Sequence, residues 1–137
     1  MKAAVVSRSA LIALAAGLAG CATAEAPPST TLEGSSWQVT AIDGQATPRT
    51  DIYQVEFKDG HASGRFGCNR FSGSYTSTAS TLALGPTMST RMGCPEPAAT
   101  HEREGLAVLG QEAQLAWAGN QLTISNASGS IALERLP

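Results

Sequence analysis

The side chains able to do chemistry are few and scattered: three cysteines, two histidines and eleven carboxylates in 137 residues. Cys68 and Cys94 stand apart, without C-x-x-C spacing or clustered histidines, so neither a zinc site nor a dithiol redox motif is written there. A Cys68 thiolate activated by His101 is the one nucleophile–base pair the residue types permit, and no spacing argues for it. His101-Glu102-Arg103-Glu104 lacks the second histidine of an H-E-x-x-H zinc helix. His61, beside a turn, and His101, among charged neighbours, read as solvated surface residues. Gly64, Gly67 and Gly73 lack the lysine and following helix of a phosphate-cradling loop, and glycine in strand-like runs marks bulges or bends. Glu102 is the most informative carboxylate. It shares a helical face with Leu106 and Leu109, and a half-buried glutamate needs hydrogen bonds or a cation, which an arginine or a backbone amide near Thr90 would supply. No second carboxylate converges on it, so no acid–base pair for hydrolysis can be assembled. The sequence predicts no catalytic residue, no metal and no cofactor.

The third cysteine is of another kind. Lys2 and Arg8 precede an apolar run from Ala10 to Leu18, and Leu18-Ala19-Gly20-Cys21 closes it with small residues, the parts of a secretory signal. A membrane helix needs about 20 apolar residues, more than this run offers. The segment resembles the signals of bacterial lipoproteins, in which residues 1–20 are removed and Cys21 carries the lipid. Ala22, where many Gram-negative lipoproteins retained in the inner membrane have aspartate, implies the outer membrane, facing the periplasm. Residues 21–31, with Pro27-Pro28 and Ser29 to Thr31, read as a linker. Removal of the signal leaves seven basic against eleven acidic residues, a net formal charge of −4 with no basic cluster, which argues against nucleic acid. In an oxidising compartment Cys68 and Cys94, the only thiols left, are expected to join. That bond would close a loop worth about 3.5 kcal/mol of unfolded-state freedom.

These residues must be held by short strands. Trp37 to Ile42 alternates apolar and polar, as do Tyr53, Val55 and Phe57. Lys58-Asp59-Gly60 turns the chain into His61 to Gly67, the clearest hairpin. Phe71 to Tyr75, Thr81 to Leu84 and Thr87 to Met92 follow, the last two divided by Gly85-Pro86. Ala98 to Gly110 reads as a helix, and Gln114 to Ala118, Gln121 to Ser125 and Ser130 to Arg135 as a closing meander. About eight short strands and one helix predict a mainly β, α+β fold: a curled antiparallel sheet, closed as a small barrel, with the helix packed on it. Asn69 suits a self-bonding loop, and Tyr75 a core tyrosine with a satisfied hydroxyl.

Gly64-x-x-Gly67-Cys68-Asn69-x-x-x-Gly73-x-Tyr75, then Thr90-x-Met92-x-Cys94, then a helix carrying Glu102, resembles the META domain of HslJ-like envelope proteins. Leu32-x-Gly34-x-x-Trp37 and the final hairpin match as well, so the resemblance covers essentially all of residues 32–135 and implies a domain spanning 32–137. It implies a barrel-like fold with a packed helix, a lipoprotein setting, stress roles in heat and drug tolerance, and structural duty for the motif residues. It implies no established reaction. Gly105 stands where the family usually has a large aromatic, which should weaken helix packing, and Gly93 replaces a common alanine. Three functions follow as expectations. The leading one is a monomeric, non-enzymatic module that binds a protein or apolar ligand, or steadies other envelope components under stress. The second is an inhibitor of a lysozyme-type hydrolase, since Phe71 to Tyr75 loosely resembles the S-G-x-x-Y element of such inhibitors, one residue short of its spacing. The third is an uncharacterised enzyme. Arg65, Arg70 and Arg91 around the motif read equally as a recognition surface or as solubilising charge.

Overall fold

Alternating side chains keep most of this chain extended, and left-handed turn residues decide where it reverses. The computed structural model describes Gly20 and residues 29–137; Cys21, residues 1–19 and most of the expected linker lie outside the described residues. The elements run β1 (Ser35–Ile42), β2 (Gln45–Ala46), β3 (Gln54–Lys58), β4 (His61–Arg65), β5 (Arg70–Ser77), β6 (Thr81–Ser89), α1 (Ala98–Leu109), β7 (Ala113–Ala118), β8 (Gln121–Asn126) and β9 (Gly129–Arg135). Each strand pairs antiparallel with the next in the order β1-β3-β4-β5-β6-β7-β8-β9, and β1 pairs with β9 to close an eight-stranded barrel; β2 is a two-residue flap on the end of β1. Closure depends on β1 serving two neighbours. Ser35 to Gln38 pair with β3, Trp37 to Ile42 pair with β9, and a register shift between Val39 and Ala41 lets one strand do both.

The β3–β4 hairpin shows why the turn falls where it does. Asp59 and Gly60 both have positive φ, 52° and 74°, as a two-residue hairpin turn requires. Glu33 reaches across to this turn, accepting hydrogen bonds from the amides of Asp59 (2.6 Å) and Gly60 (3.3 Å) and from the Tyr75 hydroxyl. The Tyr75 bond is the main reason the Glu33 carboxyl is held below its usual range, while burial, then Glu33 itself, pushes the Tyr75 phenol up. The Tyr75 ring packs edge-on against Phe57.

Inward-facing residues fill the barrel, among them Trp37, Val39, Phe57, Phe71, Leu82, Leu122 and Ile131, each 1% exposed or less. Trp37 donates its indole N–H to Ser35 Oγ at 2.7 Å, meets the half-buried Trp117 at 5.9 Å, and carries the Arg135 guanidinium 4.5 Å above its ring. Two expectations change here. Gly85-Pro86 does not divide two strands: β6 runs through it, and the ladder to β5 shifts register between Gly73 and Tyr75, so the residue without an N–H sits where the pairing is irregular. Thr90 to Met92, expected to be extended in that strand, lie beyond its end.

The helix also departs from expectation. It buries His101, Gly105, Val108 and Leu109, a face turned by about one residue from the Glu102–Leu106–Leu109 line, and it packs against β9, β1 and β8. Gly105 is the cause. A Cβ there would stand 2.6 Å from Phe66 Cδ2, so the missing side chain lets the Phe66 ring lie directly on the helix backbone. Phe66 is fully buried and stacks on Phe71 with centroids 5.1 Å apart. The aromatic absent from position 105 is replaced in space by Phe66, and the contact is close rather than weakened.

Candidate functional site

The segment between β4 and β5 draws the motif residues together. Gly67 has φ of 100°, and a Cβ on it would fall 2.6 Å from Tyr53 Cζ, so the chain can turn over the Tyr53 phenol only with glycine there. Gly64 serves a different approach: in the ladder opposite Val55, its Cβ would meet the Gln54 carbonyl and stand 2.9 Å from Val55 Cα. Gly73 lies at the β5–β6 register shift, where a Cβ would stand 3.1 Å from the Pro86 carbonyl.

Asn69, 5% exposed, is the pivot of the polar cluster. Its Oδ1 accepts hydrogen bonds from the Met92 amide at 2.7 Å and from the Thr90 hydroxyl at 3.0 Å. Its Nδ2 donates to Glu102 Oε2 at 2.9 Å, to the Met92 carbonyl at 3.2 Å and to Cys94 Sγ at 3.4 Å. The Asn69 backbone amide donates to Glu102 Oε1 at 2.7 Å, so both carboxylate oxygens are engaged by one residue. Thr90 Oγ1 in turn accepts from the Arg70 amide at 3.0 Å. The glutamate is therefore satisfied by amides of Asn69, and neither an arginine nor an amide near Thr90 plays that part. Met92 contributes its backbone to the cluster and exposes its side chain, and a Cβ on Gly93 would meet nothing within 4 Å.

Cys68 and Cys94 are joined, with Cα atoms 6.0 Å apart and a separation of 26 positions in sequence. Their sulfurs and a Glu102 oxygen all lie within 4.8 Å of one another, a spacing that suits a metal. The donor chemistry does not fit one. Each sulfur is bonded to the other and offers no thiolate, and Asn69 occupies both glutamate oxygens. A Cys68 nucleophile is excluded in this state for the same reason.

His101 was expected in solvent and is 3% exposed. Its Nδ1 shares a hydrogen bond of 2.8 Å with the Tyr53 hydroxyl, the two rings meeting edge to face at 5.6 Å. Burial pushes the Tyr53 phenol up, which keeps it a neutral hydrogen-bonding group. The stride His101, Gly105, Val108 carries this burial in the sequence, but the charged neighbours of His101 mask it. His61 remains exposed beside its turn, with Nδ1 3.0 Å from the Asp59 carbonyl. Phe71 to Tyr75 forms the middle of β5 and not a protruding loop.

Two solved structures share this architecture. One, determined by NMR, aligns with a TM-score of 0.63 at 23% identity, covering 73% of this chain and 87% of its own. Another, an NMR structure of a protein from Burkholderia xenovorans, aligns at 0.59 and 21% identity, covering 96% of this chain and 99% of its own. At these identities the likeness is one of fold. No curated protein matches the chain. The META domain family matches residues 30–135, from just before the first strand to the last residue of β9, and the chain belongs to that family.

Proposed function

We propose that this chain is an HslJ-like, envelope-anchored META lipoprotein that works by binding or steadying other envelope components under heat or drug stress, not by turnover. The observation that carries the reading is how the motif spends its polar atoms. Asn69, Thr90, Glu102 and the cysteines bond to one another, leaving a rigid barrel as the working surface in place of a set of poised reactive groups. Cys21 supplies the anchor in this reading, and the segment before Leu32 holds the domain off an outer-membrane surface facing the periplasm. Among the described residues no helix is long and apolar enough to cross a membrane, which is compatible with lipid attachment.

The test is capture from envelope extract on the full-length, lipidated protein in detergent, beside a reduced and unfolded control, with palmitate labelling compared in wild type and Cys21→Ala. Label lost in the variant, and a partner held only by the folded form, support the reading. Label unchanged in Cys21→Ala removes the anchor. Loss of muramidase activity on titration with the protein would replace the reading with that of a hydrolase inhibitor.

A further inference from the structure

On the outer face of β1, β3, β4 and β5 lies a groove of about 320 Å³, at the small end of the range for ligand sites. Its lateral order follows from the register. Ser36 pairs with Glu56 and Glu56 with Ser63, giving one cross-strand row; Arg65 pairs with Arg70 to give the basic wall on β4 and β5. Asp51, just before β3, and Glu56, on β3, give an acidic wall on the strand beside β4, and the bare backbone of Gly64 also lines the groove.

Charge in this groove is unspent. Among the described residues the one ion pair in the molecule is Arg49 with Glu134, so Arg65, Arg70, Asp51 and Glu56 have no oppositely charged group within 4.0 Å. Arg65 Nε is buried with no hydrogen-bond partner. Like charges directly opposite in a ladder repel, and an arginine pair so placed calls for an anion between or above its forks. A carboxylate matches the planar guanidinium in two parallel hydrogen bonds, while an ammonium matches carboxylates flanked by the Ser36 and Ser63 hydroxyls.

We propose that this groove binds a small zwitterion of the amino-acid or dipeptide class, its carboxylate on Arg65 and Arg70 and its ammonium on Glu56 and Asp51. The site is separate from the Asn69 cluster and independent of whether the protein is lipidated or has a protein partner. Dipeptide size fits the volume, and a lone anion would leave the acidic wall facing it.

The test is a titration of the full-length protein, labelled with nitrogen-15, with L-alanyl-L-alanine, followed at the backbone amides of Ser63, Gly64 and Arg65. The expected result is a saturable shift confined to the groove. N-acetylation or C-terminal amidation of the dipeptide should each weaken it at least about tenfold, the loss of one charged contact. Arg65→Gln and Glu56→Gln should weaken it comparably while the rest of the amide spectrum superimposes on wild type; the two blocked dipeptides on the unaltered protein keep the test independent of how the variants fold. No saturable shift, an acetylated dipeptide binding as tightly as the free one, or unchanged binding in a well-folded Glu56→Gln would each overturn the proposal.

Discussion

The stretch from Arg65 to Arg70 takes part in two regions that treat polarity in opposite ways. Its middle, Phe66 to Asn69, turns inward to the cluster where Asn69, Thr90 and Glu102 exhaust one another's hydrogen bonds. Its ends, Arg65 and Arg70, point to the outer groove, where guanidiniums and carboxylates stand without partners. A satisfied cluster contributes to stability and loses it when cut. An unsatisfied one contributes little to folding and is available to a ligand. The run of unusual residues that marks the family thus divides into a part that holds the chain and a part that faces outward.

That contrast can be broken by mutation. The largest effect is expected from removing the cross-link: Cys68→Ser with Cys94→Ser should cost about 3.5 kcal/mol in a denaturant titration, from loop entropy alone. Asn69→Ala comes next, at about 3 kcal/mol, because it strands the Met92 amide and one Glu102 oxygen inside the cluster. Gly105→Ala should cost about 2 kcal/mol by driving a methyl group into the Phe66 ring, and the additional replacement Phe66→Leu should return part of it. Arg70→Gln should leave the midpoint within about 0.5 kcal/mol of wild type. If Arg70→Gln were as damaging as Asn69→Ala, the outer groove would be structural too, and the contrast would fall.

The acid limb of stability offers a finer probe. Glu33 has its carboxyl lowered in the fold, chiefly by the Tyr75 hydroxyl, so its contribution is present above the unfolded value near 4.5 and is lost as pH falls through the folded one. Tyr75→Phe should make the melting temperature fall less steeply on acidification below that value, a small change read by thermal scans at several pH values.

What the sequence made legible was local. The Asp59-Gly60 hairpin, the alternation through Trp37 and Val55, and the final meander depend on neighbours a few residues away, and these strands appear within a residue or two of their expected places. The cysteine pairing could be expected from counting: with Cys21 set aside, Cys68 and Cys94 were the two left to join. What remained hidden depends on residues far apart in the chain. Nothing near Gly105 says that Phe66, thirty-nine positions earlier, will occupy its empty flank, and the weak stride His101, Gly105, Val108 is masked by charged neighbours until that contact turns the helix. Glu102 could be read as needing a partner, yet which amide would reach it depended on how Gly67 bends the chain. The groove was invisible for the same reason: Asp51, Glu56, Arg65 and Arg70 become neighbours only through two strand pairings, β3 with β4 and β4 with β5.

β6 decides how copies of this protein can meet at high concentration. Only Thr81 and Leu82 of that strand pair with β7, so the stretch from Ala83 to Ser89 pairs with β5 on one side and has no ladder on the other. An open edge invites the same edge of a neighbouring molecule to add on. Pro86 stands in the middle of it with no N–H to give, and the register shift beside it bends the strand out of the flat shape such stacking needs. An edge so interrupted disfavours strand-by-strand addition between barrels brought together at high concentration.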